Sequence, residues 1–324
     1  MTFDPRRKPL AVYCVTGGAG FIGSHLVDAL LAYRHSVRVV DDLSSGSRGN
    51  VDPRAELIVG DIAEPGLMRH ALAGADGCFH LAAVASVAQA NIDWLGTHRS
   101  NMTGTVAVLD AARHTGAKPV VYASSAAVYG DQGDQPISEA ARPQPRSAYG
   151  ADKLGSELHA AVAFGVHRVP TLGLRFFNVY GPRQDPSSPY TGVISIFAAR
   201  IAAGLPVIVD GDGMQTRDFI YVDDIVRHAL AAMDRLLVTP DASVFNACTG
   251  CATSVLALAD ALGVATGCEP IIQFGPPRAG DVRASLGDPT RAAAALDVVA
   301  TIPLAQGLVC LVASQRRAAL SMVA

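Results

Sequence analysis

The chain has 324 residues, 50% of them hydrophobic and 17% charged, enough to build a well-buried core in one large domain or two modest ones. A net charge of −3 and a pI near 6.3, with no run of like charge, argue against a nucleic-acid partner. No charge-free apolar stretch reaches the roughly 18 residues of a membrane helix, so no membrane partner and a cytoplasmic location are expected.

Met1 to Lys8 is polar and ends in Arg6, Arg7 and Lys8. The apolar stretch after it holds glycines, His25 and Asp28 and lacks a small-residue cleavage site, so it reads as a disordered leader rather than a signal peptide. Leu10 to Thr16 is a strand rich in β-branched residues that breaks into glycines. Ile22 to Tyr33 carries Leu26, Leu30 and Leu31 at helical spacing, and Ser36 to Val40 is a second strand ending at Asp41 and Asp42. Strands follow at Glu56 to Val59 and Gly77 to Leu81, then a helix near Asn101 to Arg113 and the strand Pro119 to Ala123. A helix around Tyr149 to Ala163 leads to the strand Thr171 to Phe176. Such alternation predicts an α/β fold, a Rossmann-type doubly wound parallel sheet.

Beyond Asn178 the texture changes, first to a loop-rich stretch at Gly181 to Gly192, then to short elements interrupted by prolines. The expected organisation is a dinucleotide-binding domain over 1–178, with 218–245 returning to it. A smaller C-terminal α/β substrate-binding lobe would comprise 179–217 and 246–324.

Thr16-Gly17-Gly18-Ala19-Gly20-Phe21-Ile22-Gly23 lies between strand and helix, where glycines allow a tight turn and close approach of backbone to a pyrophosphate. The helix N-terminus then offers free N–H groups to the phosphates. Asp41 or Asp42, about 20 residues on, fits the ribose hydroxyls and repels a 2′-phosphate, which favours NAD over NADP. Asp61, after the third strand, is a candidate partner for the adenine, although a plain turn acid explains it equally well.

Tyr149 and Lys153 are four apart on a helix and share one face, while Ser124 and Ser125 close a strand expected nearby. A phenol with a pKa near 10 is a poor base at neutral pH, and an adjacent ammonium lowers that value. A serine hydroxyl can meanwhile hold the substrate oxygen. Cys248 and Cys251 form a CxxC, but with no second pair and no histidine cluster no metal site is expected. Two small buried apolar residues are the better reading.

These motifs resemble an extended short-chain dehydrogenase/reductase of the nucleotide-sugar epimerase/dehydratase family, and within it the UDP-glucose 4-epimerases. The resemblance covers nearly the whole chain. It rests on the glycine loop, Asp41-Asp42-Leu43-Ser44-Ser45-Gly46, His80-Leu81-Ala82-Ala83, Asn101, Ser124 to Gly130, Tyr149 to Lys153, Arg175 to Gln184, Arg217 to Ile220 and Arg278 to Asp281. It implies Ser125, Tyr149 and Lys153 as catalytic residues, Tyr149 being the base and Lys153 also holding the nicotinamide ribose. It implies an NAD site of Gly17, Gly20, Phe21, Ile22, Gly23, Asp41, Asp42, Ser45, Gly46, Asp61, Ile62, Leu81, Ala82, Ala83 and Asn101, with Tyr149 and Lys153. Ser124, Ser125, Asn178, Arg217, Arg278, Asp281 and Ser285 are then expected to contact a UDP-sugar.

The implied reaction takes a hydride from C4 of the hexose and returns it to the other face of a 4-keto sugar. Ala126 and Ala127 stand where related 4,6-dehydratases carry an acid pair, and two alanines cannot eliminate water. Their lack of hydroxyls, with Asn178 in place of threonine, also departs from uronate 4-epimerases and favours neutral hexoses. Ser285, where some relatives carry a tyrosine, suggests room for N-acetylhexosamines. Leu296-Asp297-Val298 replaces a frequent tryptophan, and the tail is unusually rich in alanine and valine. The rival readings are a nucleotide-sugar 4-reductase or dehydrogenase, often NADP-dependent and thus disfavoured by Asp41, and a non-catalytic dinucleotide sensor, which has no reason to keep Tyr149, Lys153 and Ser125 together. A homodimer through the Asn101–Arg113 and Tyr149–Ala163 helices is a further implication.

Overall fold

The computed structural model describes residues 10–116, 118–186, 192–277 and 282–321. The expected leader and the Arg278 to Asp281 segment lie outside them.

The N-terminal half alternates strands and helices in chain order. It runs β1 (Val12–Thr16), α1 (Phe21–Ala32), β2 (Ser36–Asp41), β3 (Glu56–Val59), α2 (Pro65–Leu72) and β4 (Gly77–His80). Next come two short helices, α3 (Val87–Ile92) and α4 (Trp94–His98), and a π-helical turn over Arg99–Thr103. Then follow α5 (Gly104–His114), β5 (Val120–Ser125), α6 (Ala148–His167) and β6 (Thr171–Phe176). The helix expected from Asn101 thus begins as a π turn, a geometry frequent at functional sites.

The second half contains β7 (Asn178–Tyr180), α7 (Val193–Ala202), β8 (Val207–Asp210), β9 (Thr216–Tyr221), α8 (Val222–Val238), β10 (Ala242–Ala247) and β11 (Ala252–Ser254). It closes with α9 (Val255–Thr266), β12 (Ile272–Gly275), β13 (Ala284–Ser285), α10 (Thr290–Leu296) and α11 (Leu304–Ser321).

Seven strands form one parallel sheet in the order β10-β6-β5-β4-β1-β2-β3. Along β1 successive side chains feed opposite layers, as the two-residue period of a strand requires. Tyr13 and Val15 join Leu26 and Leu30 of α1 and Met233 of α8. Cys14 joins Met68 of α2, Val108 of α5 and Ala160 of α6 on the other face. Burial on both faces explains why these strands read as continuous apolar runs.

The lobe has its own core, where Phe197 of α7, Leu258 of α9 and Leu308 of α11 pack around Val209 and Phe219. Its main sheet is mixed. β9 pairs antiparallel with β11 and parallel with β13 and β7, and a separate ribbon joins β8 to β12.

The expected division shifts accordingly. Residues 218–221 stay in the lobe as part of β9, while α8 packs on α1 and β10 extends the main sheet. Helix α10, expected in the lobe, packs on α8 and β10, because its buried Ala292 and Leu296 join the core beneath the main sheet.

Candidate active site

The glycine loop leaves β1 beside β4. Gly17 adopts φ +71°, and a Cβ there would stand 2.7 Å from the backbone nitrogen of Ala82, so both its conformation and its neighbour require glycine. A Cβ on Gly23 would strike the Gly17 carbonyl, so helix α1 can sit against the loop only because that position is bare. The first intrahelical bond runs from Ser24 N to Gly20 O at 3.1 Å, which leaves the amides of Phe21, Ile22 and Gly23 without helical acceptors. The side chain of Phe21 packs against the lobe core, and that of Ile22 against both that core and the core of the main sheet. This loop and its open helix end suit a pyrophosphate.

Asp41 is buried. It accepts hydrogen bonds from Ala19 N and Leu43 N, each at 2.9 Å, so it stitches the glycine loop to the end of β2. Burial pushes its carboxyl above the usual range, against those two hydrogen bonds. Asp42 is exposed and caps Ser44 through its amide and hydroxyl. Ser45 is exposed too, and Gly46 lies against Ala19 of the glycine loop.

Asp61 accepts from Ala63 N at 2.8 Å and from the Arg99 guanidinium at 2.7 Å. Ile62 is buried in the core between α2 and α5. Leu81 N donates to the Thr16 carbonyl and Ala82 N to the Thr16 hydroxyl, which fixes the segment after β4, including Ala83, against the loop. Asn101 is almost fully buried in the π turn, where its amide group clasps the backbone of Val84 from both sides.

Ser125, Tyr149 and Lys153 come together at the carboxyl end of the sheet. Ser125 Oγ accepts from Ala127 N at 3.1 Å and lies next to the Tyr149 phenol, whose pKa it lowers. The Lys153 ammonium lies 5.8 Å from the Tyr149 ring centre and donates to the Ala123 carbonyl at 2.9 Å. Burial outweighs Ser125 and raises the phenol above its ordinary value. Burial pushes the Lys153 ammonium down to about 8, opposed by the negative charge of Asp152.

Ser124, expected to touch substrate, faces the other way. Its buried hydroxyl donates to Glu157 at 2.5 Å, two helical turns further along α6 than Tyr149. Glu157 in turn holds Arg175 through two hydrogen bonds, 2.9 Å and 2.7 Å, and the guanidinium lies 4.7 Å from the Tyr129 ring centre. This clamp ties β5, α6 and β6 together directly beneath Ser125. The sequence carried a signal for it, since Tyr149, Lys153 and Glu157 recur every four residues on one helical stripe.

A second chain of bonds also went unread. The Thr16 hydroxyl accepts from Ala82 N, so its proton faces His80 Nδ1 at 2.8 Å. His80 Nε2 then donates to Thr105 Oγ1 at 3.0 Å, and Thr105 donates to the Asn101 carbonyl at 2.6 Å. Burial and the Lys153 charge push His80 down to about 3.

In the lobe, Asn178 opens β7 opposite Phe219 of β9, and Arg217 stands in register with Ser285 of β13. All three are half-buried. Arg217 donates to the Thr216 carbonyl at 2.7 Å. Arg278 and Asp281, expected beside them, lie outside the described residues. Asp218 is fully buried and accepts from Thr249 and from Gly250 N. The CxxC stretch is thus a cradle for that carboxylate. Cys248 is buried, but Cys251 is exposed, which corrects the expectation of two buried residues. Among the described residues, no cluster of side chains could hold a metal ion, and no helix is long and apolar enough to cross a membrane.

Residues 13–248 match the model of the NAD dependent epimerase/dehydratase family. A UDP-glucose 4-epimerase of Mycolicibacterium smegmatis is 38% identical, covering 91% of this chain and 95% of its own length. Among solved structures, a UDP-glucose 4-epimerase of Thermotoga maritima with UDP-glucose superposes with a TM-score of 0.91 at 36% identity, covering 95% of this chain and 99% of its own. A UDP-N-acetylglucosamine 4-epimerase of Methanobrevibacter ruminantium gives 0.90 at 30% identity, covering 96% and 100%.

Proposed function

The chain belongs to the NAD dependent epimerase/dehydratase family, and we propose that it interconverts UDP-hexoses at C4, taking UDP-glucose and UDP-galactose and also their N-acetylated forms. The observation that carries this reading is Lys153 beside Tyr149, with Ser125 at the end of β5 next to the phenol.

The free amides of the glycine loop suit the cofactor's diphosphate, Asp41 and Asp42 its adenosine ribose, and Lys153 the second ribose. Bound NAD supplies reversible hydride acceptance. Ser125 holds the sugar C4 oxygen, and Tyr149 takes its proton. The Lys153 ammonium favours the phenolate that burial opposes. Asn178 and Arg217 bind the diphosphate of the sugar nucleotide, for which a guanidinium fork is well shaped. Ala126 and Ala127 offer no acid to remove water from C5 and C6, which favours re-reduction of the keto sugar over elimination. Ser285, small and alongside Arg217, leaves room for an N-acetyl group.

Exposed Leu158, Val162 and Val166 form an apolar stripe on α6 at four-residue spacing, which supports a homodimer through this helix. Sedimentation of the purified protein reads its subunit number.

The central test is purification, extraction of retained NAD, and a screen of UDP-hexoses for epimer formation without added cofactor. Tyr149→Phe is expected to lower turnover roughly a hundred- to ten-thousand-fold while keeping NAD. Turnover left intact in that variant overturns the mechanism, and no conversion of UDP-N-acetylglucosamine overturns the wider specificity.

A further inference from the structure

Asp152, the residue directly before Lys153 on the chain, carries an unusual burden. Asp152 is 5% exposed, yet it bears a carboxylate. One oxygen, Oδ1, lies 2.7 Å from Nδ1 of His98 at the end of α4. The other, Oδ2, is buried with no hydrogen-bond partner. An unpaired buried carboxylate oxygen costs free energy, so the fold holds this charge for a reason other than packing.

We propose that Asp152, gripped by His98, is a positioning residue whose buried carboxylate is the counter-charge of Lys153. The inference rests on the reading above, in which the Lys153 ammonium serves Tyr149.

The surroundings leave Asp152 few rivals for this role. Helix α6 packs against α3, α4, the π turn, α5, β5, β6, β10 and the turn at Ala126–Val128. Helix α3, β10 and that turn bring no titratable side chain, and α4 brings only His98. Arg99 of the π turn is directed to Asp61 and Glu64. Asp110, Arg113 and His114 of α5 sit at its far end, where Arg113 meets His167. Tyr122 of β5 is a phenol pushed far up by burial. Arg175 of β6 is matched by Glu157, and His80 of β4 is held neutral. On α6 itself, His159 lies seven residues further along the helix. Asp152 is the carboxylate whose field opposes the loss of the proton that burial drives from Lys153.

The sign follows directly. Removing the carboxylate charge leaves burial unopposed, so Lys153 gives up its proton at lower pH. Through a medium of intermediate dielectric, one charge at side-chain distance shifts such a group by about one pH unit. The chain has only three lysines, Lys8, Lys118 and Lys153. A protein labelled with carbon-13 at lysine Cε therefore gives three resonances, and Lys153→Arg assigns the one that matters.

In the wild type that resonance should titrate near pH 8. In Asp152→Asn it should titrate about one unit lower, and Asp152→Glu should bring it back. His98→Ala frees the carboxylate and should give a smaller drop, which His98→Asn, with an amide N–H in place of Nδ1–H, should reverse. An unmoved Lys153 titration in Asp152→Asn overturns the proposal. Should that variant not fold, identical Lys153 titrations in His98→Ala and the wild type do so. The measurement needs no turnover, so a failed sugar screen and a failed counter-charge are told apart. In an active enzyme, the alkaline limb of kcat against pH should move with the resonance.

Discussion

The two halves of the molecule build their parts of the site in opposite ways. In the parallel sheet the polar groups near Tyr149 are already tied to one another. Thr16, His80, Thr105 and Asn101 form one chain, and Ser124, Glu157 and Arg175 form another, all buried. In the lobe, Asn178, Arg217 and Ser285 sit half-buried on short strands around β9. In the proposed mechanism the first half holds its reacting groups in place before substrate arrives. On the same proposal the second presents half-buried side chains for a sugar nucleotide to complete. Substitutions in the two halves should therefore fail differently, the first through stability and the second through binding.

The largest contrast is expected at the clamp. Glu157→Ala strands a buried Arg175 guanidinium without its carboxylate, a change that typically costs about 3–5 kcal/mol. Urea unfolding followed by far-ultraviolet dichroism measures it. A loss below about 1 kcal/mol, within the range of an exposed ion pair, would show that the clamp does not hold α6 on the sheet.

Arg217→Ala should do the reverse. Its half-buried side chain donates to the Thr216 carbonyl, so unfolding should move by about 1 kcal/mol, well short of the clamp. Binding of a UDP-sugar should weaken by about 2 kcal/mol, roughly thirtyfold, as one charge-assisted contact to a phosphate is lost. Calorimetric titration reads this, and unchanged affinity would remove Arg217 from the site.

The same contrast explains what could be read from the chain alone. β1 to β6 were legible as apolar runs and α1, α5 and α6 by their periodic faces, whereas the short α2, α3 and α4 carried no such signal. The glycine loop, Asp41, Tyr149 and Lys153 fall at fixed places in that alternation. The lobe resisted because its strands are two to six residues long and its sheet gathers β7, β9, β11 and β13 from distant parts of the chain. Nothing in residues 218–221 reveals that they leave the main sheet while the helix after them returns to it. Within the site, side-chain direction was the hidden variable. Ser124 and Ser125 are neighbours of one type, yet the first donates to Glu157 while the second ends the strand and caps the turn at Ala127. His80 stood in a quoted motif, but its partners Thr16 and Thr105 are 64 and 25 residues away.

That histidine gives the smallest effect, and one that belongs to the sheet half alone. Its imidazole is held neutral between two threonine hydroxyls, with its value pushed from 6.5 to about 3 by burial and by Lys153. The unfolded chain takes up a proton there near pH 6.5, whereas the folded chain does not until about pH 3. The neutral histidine thus supports the fold fully above pH 6.5, and that support is lost progressively as pH falls from 6.5 toward 3. Between pH 7.5 and pH 5.5 this one group should account for about 1.4 kcal/mol of lost stability. His80→Asn, which cannot titrate, should lose that much less than the wild type over the same interval, whatever its starting stability. Parallel unfolding curves at the two pH values decide it. Equal losses in both proteins would mean that His80 takes up its proton without unfolding the sheet, and that the bonded chain from Thr16 to Asn101 yields where we expect it to hold.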